Sequence, residues 1–274
     1  LVTAGMGLIG FFDDITKVVR ARSLGLTPRQ KLAGQIFTGL AAALAINYYP
    51  GLRFELANAA SGSIEMSPTA TQMPIFGALD LGWLYIPFAV AVIVGASNAV
   101  NLTDGLDGLA AGTMIVATTP FLIFAYVCGH LIFARHLGVA YIAGVGELAV
   151  ICAALIGGSF GFLWHNAHPA AVFMGDTGSL ALGGALGAIA LCSKTEVFLA
   201  IVGGIFVIEA LSVILQVSYF KLTKGKRIFK MSPIHHHFEL CGWPEEKVVI
   251  RFWIMGIMLA MVGLTLFAAR LVAV

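Results

Sequence analysis

Long apolar runs dominate this chain and decide the class of fold that it can adopt. A first run of twelve residues is followed by seven longer ones, and the eight run over Leu1–Phe12, Leu32–Tyr49, Leu81–Ala96, Leu109–Val127, Leu148–Trp164, Ser179–Leu191, Val197–Tyr219 and Val248–Ala269. Charged residues make up 11% of the chain, against about 25% in soluble domains. Runs of this length match bilayer-crossing helices, and the alternation typical of barrel strands is absent. The sequence therefore predicts an all-α, polytopic transmembrane helix bundle.

The first apolar run is too short to cross a membrane by itself. Its residues would rise about 18 Å as a helix, whereas the hydrocarbon core of a bilayer is about 30 Å thick. The chain also begins on Leu1 rather than on methionine. We therefore expect a half-span here, with residues 1–274 forming one integral membrane domain whose own N-terminus is missing.

One segment between the predicted spans, Pro50–Asp80, is too polar to be a span itself. Within it, Leu52–Leu56 and Ser63–Met66 alternate apolar and polar residues, and Asn58–Gly62 supplies turn-forming residues. This pattern predicts a small extramembrane hairpin near residues 52–66.

Basic residues are distributed unequally between the two sides of the predicted bundle. If seven spans follow the half-span, twelve of the sixteen Lys and Arg residues fall on one side: Lys17, Arg20, Arg22, Arg29, Lys31, Lys221, Lys224, Lys226, Arg227, Lys230, Lys247 and Arg251. The positive-inside rule makes that side cytoplasmic. The same side receives five of the six aspartates, namely Asp13, Asp14, Asp104, Asp107 and Asp176. Solubility does not require such a cluster, so it favours a functional site.

The densest group of ligand-type side chains is Asn98–Gly108, at the boundary between two spans. It holds two asparagines, two aspartates, a threonine and two glycines in eleven residues. Glycine allows the backbone to approach a ligand closely, and the carboxylate and amide oxygens suit a hard cation. A polar connector with Asx turns is the alternative, although a connector needs neither two carboxylates nor two amides.

Two further acidic motifs flank predicted spans. Asp13 and Asp14 end the half-span, with Lys17 one helical turn later; adjacent carboxylates can have their pKa values pushed apart, which suits proton transfer, and a solvated ion pair is the alternative. Asp176 lies between glycines at the start of a span, where a helix N-terminus favours anions, and a plain N-cap is the alternative. Phe173 fits core packing or a platform for a planar ring.

Three consecutive histidines, His235, His236 and His237, follow the basic run Lys221–Lys230. On a helix, at most two of them can face one ligand, and no nearby cysteine supports a zinc site. The basic run fits anionic lipid headgroups as well as it fits direct substrate contact.

Gln216 and Glu209 are polar residues inside a predicted span. We expect Gln216 to lie near the site and Glu209 to pair with another helix.

Together these residues predict a cleft that combines carboxylates, amides, imidazoles and cations. Carboxylates that bind a hard divalent cation, with lysines around them, suit a diphosphate substrate. The oxygen-rich ligand set favours Mg²⁺ over Zn²⁺. Because the cleft lies at a membrane boundary, one substrate is expected to arrive from the lipid.

Four segments together resemble the polyprenyl-phosphate N-acetylhexosamine-1-phosphate transferases: Phe12–Asp14, Asn98–Gly108, Phe173–Gly178 and Pro233–Glu239. The form of the last segment resembles the bacterial phospho-N-acetylmuramoyl-pentapeptide transferase branch. The resemblance runs from Leu1 to Val274 and implies about ten spans in a complete protein. The first two spans of that family, with their cytoplasmic loop, match nothing in this sequence.

The resemblance implies a reaction in peptidoglycan synthesis at the bacterial inner membrane, with the site facing the cytoplasm. Undecaprenyl phosphate would attack the β-phosphate of UDP-N-acetylmuramoyl-pentapeptide, giving lipid I and UMP with Mg²⁺. The resemblance implies that Asp176, aided by Asn101, holds the metal ion, and that Asp13, Asp14 and Lys17 bind the lipid phosphate. It implies that the nucleotide-sugar is bound by Asp104, Asp107, Asn166, Phe173 and Gln216. It also implies that the site is lined by His235, His236 and His237.

Other functions fit parts of the sequence. A relative that uses UDP-N-acetylglucosamine shares the acidic motifs, but the histidine triplet argues against it. An ion or anion transporter should place its ionisable residues near the bilayer midplane, whereas here they cluster at one boundary. No feature indicates nucleic-acid binding, and the sequence leaves the oligomeric state open, a homodimer included.

Overall fold

The computed structural model describes residues 1–20, 25–48, 54–58, 62–74 and 77–269. Its helices are α1 Val2–Val19, α2 Pro28–Tyr48, α3 Tyr85–Thr103, α4 Leu109–Cys128, α5 Leu131–Leu137, α6 Leu148–Asn166, α7 Gly175–Cys192, α8 Glu196–Val202, α9 Gly204–Leu222, α10 Ile234–Leu240 and α11 Glu245–Ala268. Its strands are β1 Phe54–Asn58, β2 Gly62–Glu65, β3 Ala70–Met73, β4 Gly77–Asp80 and β5 Ala140–Ile142. Arg22, Leu52, Arg53 and Arg270, which entered the sequence predictions, lie outside the described residues.

The prediction of an all-α membrane protein is confirmed. Among the described residues, six helices are long and apolar enough to cross a bilayer, and they are α3, α4, α6, α7, α9 and α11. In lipid a helix satisfies its own backbone hydrogen bonds, which is why apolar runs of this length become helices. α2 is 21 residues long but less apolar, so six helices meet this criterion where seven spans were predicted. The prediction that Val197–Tyr219 forms one helix is also wrong, because the helix is interrupted at Gly203, between α8 and α9.

α7 is the centre of the bundle and packs against both α1 and α3. Glycines allow these helices to approach closely, because a Cβ on Gly10 of α1 would lie 2.2 Å from the backbone oxygen of Asp176. On the α3 side, a Cβ on Gly183 would lie 2.5 Å from the backbone oxygen of Ala96. Small residues promote such packing in membranes, where the hydrophobic effect does not draw helices together. The predicted span Ser179–Leu191, which is short and rich in glycine and alanine, is part of the longer helix α7, which also includes Gly175–Gly178 and Cys192.

A small β layer covers one end of the bundle. β1 and β2 form the predicted hairpin, with Glu55 opposite Glu65, so that prediction is confirmed over the described residues. The sequence did not indicate β5, which pairs with the other edge of β1, or the second hairpin, β3 with β4. The side chain of Gln72 on β3 accepts a hydrogen bond from the Ala140 amide and donates one to the Ser193 carbonyl, at 3.2 Å each. The layer is thereby fastened to the turn after α7.

Beneath the β layer lies a buried ionic network. The Lys194 ammonium donates hydrogen bonds to the Pro68 carbonyl and to the Tyr85 hydroxyl. Tyr85 and Thr71 in turn donate to the Glu196 carboxylate, at 2.7 and 2.5 Å. Burial lowers the pKa of Lys194 to about 8, although attraction to Glu196 opposes that shift. Burial raises the pKa of Glu196 above its usual value. This network joins α3, β3 and the start of α8.

The opposite end of the bundle gathers most of the polar motifs. Hydrogen bonds and ion pairs there join the C-termini of α1, α3 and α6 to the N-termini of α2, α4, α7 and α11. This convergence follows from antiparallel packing of neighbouring helices through short connections. It places the aspartate motifs at one membrane boundary, which is called the site face below.

Candidate active site

Three carboxylates lie together where the end of α1 meets the beginning of α7. Oxygen atoms of Asp13, Asp14 and Asp176 all lie within 4.8 Å of one another, close enough to hold a single metal ion. The close contact at Gly10 brings α1 against α7 at this level, so helix packing sets the distance between residues 160 positions apart in sequence. Two of the predicted motifs therefore share one site.

Asp14 holds the two helices in register. Its carboxylate accepts hydrogen bonds from the Thr177 amide at 2.9 Å and from the Thr177 hydroxyl at 2.8 Å. The first turn of a helix has unsatisfied amides and a partial positive charge, both of which favour a carboxylate. Asp14 thus caps α7 from a different helix.

Two lysines surround the Asp176 carboxylate. Lys31, at the start of α2, lies 2.7 Å from Asp176 Oδ2, and Lys17 lies 3.2 Å from the same atom. The Lys17 ammonium also lies 2.6 Å from Asp13 Oδ2 and 3.3 Å from Asp14 Oδ1. One ammonium therefore neutralises the centre of a three-carboxylate group. Charge of this kind is what a hard divalent cation would supply there, so the donor set fits such an ion.

Asn101 connects the asparagine-rich segment to this cluster. Its Nδ2 donates to Asp176 Oδ1 at 2.8 Å and to the Ser179 hydroxyl at 2.9 Å. Beside Asn101 opens a cleft of about 320 Å³. The cleft is lined by predicted site residues at two connections, α3 to α4 and α6 to α7, which are Asn101, Asp104, Asp107, Asn166, Phe173 and Asp176. Phe173 lines the cleft and is 75% exposed, so its ring is open to a ligand and is not packed in the core.

Asp104 stands out electrostatically among the cleft residues. Burial, followed by repulsion from Asp176 and Asp14, raises its pKa from 3.8 to about 6. A raised carboxyl pKa means that the folded protein disfavours the ionised form. The ionised Asp104 carboxylate therefore lowers the free energy of unfolding. This destabilisation is absent below the pKa of Asp104 in the unfolded chain, near 4, and complete above its pKa in the folded protein, near 6.

We therefore expect Asp104→Asn to stabilise the metal-free protein at pH 8 by about 2 kcal/mol, after allowance for partial exposure. The same substitution should have almost no effect at pH 4, because the native side chain is then protonated too. Thermal unfolding in detergent with a chelator at both pH values measures the difference. Equal stabilisation at pH 4 and pH 8 would contradict the electrostatic origin.

Asp107 lies at the far side of the cleft in its own cluster. One carboxylate oxygen, Oδ2, lies 3.0 Å from His168 Nδ1 and accepts the Ala170 amide at 2.9 Å. The backbone amide of Asp107 donates to Glu245 Oε1 at 2.8 Å. His168 also lies 3.5 Å from Glu245 Oε2. Asp107, His168 and Glu245 form a second group of potential metal ligands, on the same face as the first.

Asn166 and Gln216 hold backbone in place. Asn166 accepts the Gly108 amide at 3.1 Å and donates to the Val172 carbonyl at 2.8 Å, so it fixes one wall of the cleft. Gln216 accepts the amides of Ile228 and Phe229, at 3.0 Å each, and donates to the Phe229 carbonyl at 3.1 Å. Their side-chain amides shape the loops on which the other residues sit.

The three histidines have separate environments on α10. His235 is fully buried, with Nδ1 3.1 Å from Glu209 Oε1, so Glu209 does pair with another helix as predicted. A Cβ on Gly105 would lie 2.3 Å from His235 Nε2. The loop from Asp104 to Asp107, which contains Gly105, therefore packs directly against this imidazole. His236 lies 2.6 Å from Glu239, and His237 Nδ1 accepts the Lys230 amide at 3.1 Å.

Four residues in these contacts were not predicted as site residues: Lys31, Thr177, His168 and Glu245. Lys31 entered the sequence analysis only as one of twelve basic residues on its side. Its position one turn into a span that starts on the site face was the available signal. Nothing in the local sequence indicated that His168 and Glu245, 77 positions apart, meet beside Asp107.

Comparison with known proteins adds the family. A sequence profile described as glycosyl transferase family 4 matches residues 1–194. Relatives named phospho-N-acetylmuramoyl-pentapeptide-transferase include one from Thermodesulfovibrio yellowstonii, 53% identical over 95% of this chain and 69% of the relative. Others come from Solidesulfovibrio magneticus, 54% identical over 98% and 72%, and from Caulobacter vibrioides, 52% identical over 98% and 71%. The chain therefore belongs to glycosyl transferase family 4, among the phospho-N-acetylmuramoyl-pentapeptide transferases.

Proposed function

We propose that this chain is the membrane domain of an enzyme that transfers phospho-N-acetylmuramoyl-pentapeptide from its UDP conjugate to undecaprenyl phosphate. The products are lipid I and UMP. The observation that carries the proposal is the joining of Asp13, Asp14 and Asp176 with two lysines next to an open cleft. Relatives about half identical in sequence carry the name of this activity.

In the proposed reaction, an oxygen of the lipid phosphate attacks the β-phosphorus of the UDP conjugate, and the bond from that phosphorus to the bridging oxygen breaks. UMP leaves with the electron pair. One of Asp13 and Asp14 accepts the proton of the lipid phosphate; the Asp14 side chain is the more exposed of the two, at 31% against 6%. Lys17 and Lys31 stabilise negative charge on the phosphates, which is the main catalytic requirement of phosphoryl transfer.

Mg²⁺ is the proposed cofactor, held by Asp176 with Asn101 beside it, and it would neutralise charge on the diphosphate. Asp176 Oδ1 faces the Asn101 amide, and amide orientation reverses by rotation of the side chain, so either polar atom of Asn101 can face the site. The carboxylates supply the hard oxygen ligands that Mg²⁺ prefers. Lys17 would move from the carboxylates towards phosphate oxygens.

The nucleotide-sugar is proposed to occupy the cleft beside this cluster. Phe173 offers an exposed ring for stacking, while Asp104 and Asp107 offer hydrogen-bond acceptors at opposite walls. Asn166, Gln216 and His235 are proposed to act on the substrate through the loops that they support, while His236 and His237 complete the proposed substrate lining. The histidine triplet favours the N-acetylmuramoyl substrate over UDP-N-acetylglucosamine.

The enzyme is proposed to lie in the bacterial inner membrane with the site face towards the cytoplasm, where the basic residues concentrate. Undecaprenyl phosphate would enter from the bilayer. A homodimer stays a prediction.

Release of UMP tests the proposal directly. We expect the purified protein to release UMP only when UDP-N-acetylmuramoyl-pentapeptide, undecaprenyl phosphate and Mg²⁺ are all present. Chromatography of the nucleotides measures the product. Turnover with UDP-N-acetylglucosamine and none with the pentapeptide conjugate would replace the proposed substrate.

A second test addresses the wall of the cleft that contains Asp107. We expect His168→Ala to raise the KM for the UDP conjugate about tenfold, the equivalent of losing one charge-assisted hydrogen bond. kcat should change less than twofold, because His168 lies away from the three carboxylates. His168→Gln should restore part of the affinity by donating to Asp107. His136→Ala, an exposed histidine on α5, is the control, and an equal rise of KM in that variant would contradict the assignment.

A further inference from the structure

A cleft with two cationic side chains lies beside the end of α9, and its lining shares Gln216, but none of the aspartates, with the candidate active site. It measures about 280 Å³ and is named the basic cleft here. Its polar lining includes Lys221, Arg227 and Ser232, and its apolar lining includes Val217, Phe220 and Met231. A cavity that joins cations to apolar side chains suits an amphipathic anion.

The charge around the basic cleft has one sign. Between Glu209 and Glu239 the sequence contains five basic residues and no acidic one. A stretch of this kind attracts anions, and the attraction is strongest next to a low-dielectric medium. The ligand of the cleft is therefore negatively charged.

The loop that forms the cleft is fixed by internal hydrogen bonds. Gln216, which is 7% exposed, binds the backbone of Ile228 and Phe229 through three hydrogen bonds. Arg227 Nη1 donates to the Lys230 carbonyl at 3.2 Å, and Lys230 Nζ donates to the Leu240 carbonyl at 2.8 Å. A loop fixed by hydrogen bonds therefore brings Arg227 to the cleft that Lys221 also lines.

The second half of α9 indicates where the cleft sits relative to the bilayer. Its side chains are exposed on most sides, including Ile214 at 59%, Leu215 at 52% and Leu222 at 83%. Apolar side chains with this exposure need lipid around them. Lys221 and Arg227 follow directly at the helix end, so they lie at the height of the lipid headgroups, where basic side chains interact with anionic phospholipids.

We propose that the basic cleft binds an anionic phospholipid, with the phosphate between Lys221 and Arg227 and the glycerol oxygens near Ser232. The acyl chains run along Val217, Phe220 and the exposed face of α9. This lipid is a constituent of the surrounding membrane and does not react.

The test compares two pairs of substitutions that remove equal charge from the same loop. The protein is placed in nanodiscs of phosphatidylcholine with phosphatidylglycerol, and lipids retained after release are counted by native mass spectrometry. We expect Lys221→Gln with Arg227→Gln to lower the preference for phosphatidylglycerol about 25-fold, since each of the two headgroup contacts contributes about fivefold. Lys224→Gln with Lys226→Gln should keep most of the preference. Lys221→Arg with Arg227→Lys, which retains both charges, should keep it too and guards against a folding defect.

Three results would overturn the proposal. Equal losses in both Gln pairs would mean diffuse attraction to the loop and no defined site. An unchanged preference in the Lys221 and Arg227 pair would remove the cleft as the binding place. Displacement of phosphatidylglycerol by equimolar undecaprenyl phosphate, together with a higher KM for undecaprenyl phosphate in the Lys221→Gln, Arg227→Gln variant in discs of phosphatidylcholine alone, would make the substrate the occupant.

Discussion

Asp176→Asn is expected to lower the rate of UMP formation by about a thousandfold, while the protein stays folded. The Asp176 carboxylate holds Lys31 at 2.7 Å, Lys17 at 3.2 Å and Asn101 at 2.8 Å, so one side chain positions three partners from three other places in the chain. Loss of its charge also weakens the proposed Mg²⁺ site. Removing a single preorganised electrostatic group from a transition state commonly costs a factor of 10² to 10³, and the loss of metal affinity adds to that cost.

Initial rates at saturating Mg²⁺ and in a Mg²⁺ titration measure this effect. Asp80→Asn is a matched control, because Asp80 is an exposed aspartate in β4 at the opposite end of the bundle. It should leave the rate within twofold of the parent. A normal rate for Asp176→Asn at every Mg²⁺ concentration would remove Asp176 from the catalytic site.

The extent to which the fold follows from the sequence depends on the range of the interactions involved. Apolar length alone predicted the long helices, because every backbone polar group in lipid must find its partner within the same helix. Alternation and turn residues predicted the hairpin of β1 and β2. The strand β5 was not predictable, since its three residues form a strand only through pairing with β1, some 85 positions away. The interruption at Gly203 was missed because the run is apolar on both sides of it, although the Gly203-Gly204 pair was an available signal.

The candidate site shows the same division. Residue type and position relative to the spans predicted that Asp14, Asn101 and Asp176 would lie on one face, and contacts among all three connectors are present. Sequence did not distinguish side chains that face the cleft from those that hold its walls. Asn166, Gln216 and His235 all looked like ligands, yet their polar atoms meet backbone groups or, for His235, the buried Glu209. That distinction depends on tertiary packing, which local patterns do not record.

The second large effect concerns stability at the other end of the molecule. We expect Lys194→Met to lower the free energy of unfolding by about 3 kcal/mol, because removing one member of a buried ion pair leaves the other without compensation. Lys194 is fully buried, and its ammonium joins Pro68 and Tyr85 close to the buried Glu196 carboxylate. The loss should shrink as the pH is lowered, because protonation of the Glu196 carboxyl, whose pKa is raised by burial, removes the charge that the substitution leaves without a cation.

Lys224→Met provides a matched control for this experiment. Lys194 and Lys224 both have positive φ angles, 56° and 55°, so the two substitutions place the same side chain on equally unusual backbone. Lys224 is exposed, so this control accounts for the backbone conformation and leaves the charge and the packing of the buried site as the difference. Thermal unfolding in detergent should therefore show a large decrease for Lys194→Met and a change below about 0.5 kcal/mol for Lys224→Met.

The double variant Lys194→Met with Glu196→Gln separates charge from shape. If the loss arises from an uncompensated carboxylate, neutralising Glu196 should recover more than half of it, whereas a loss caused by poor packing of methionine should persist. Desolvation of two charges offsets much of their attraction, so this ion pair contributes little net stability and acts mainly to fix how β3, α3 and α8 meet. Equal losses in the single and double variants would contradict that role and assign the effect to side-chain shape.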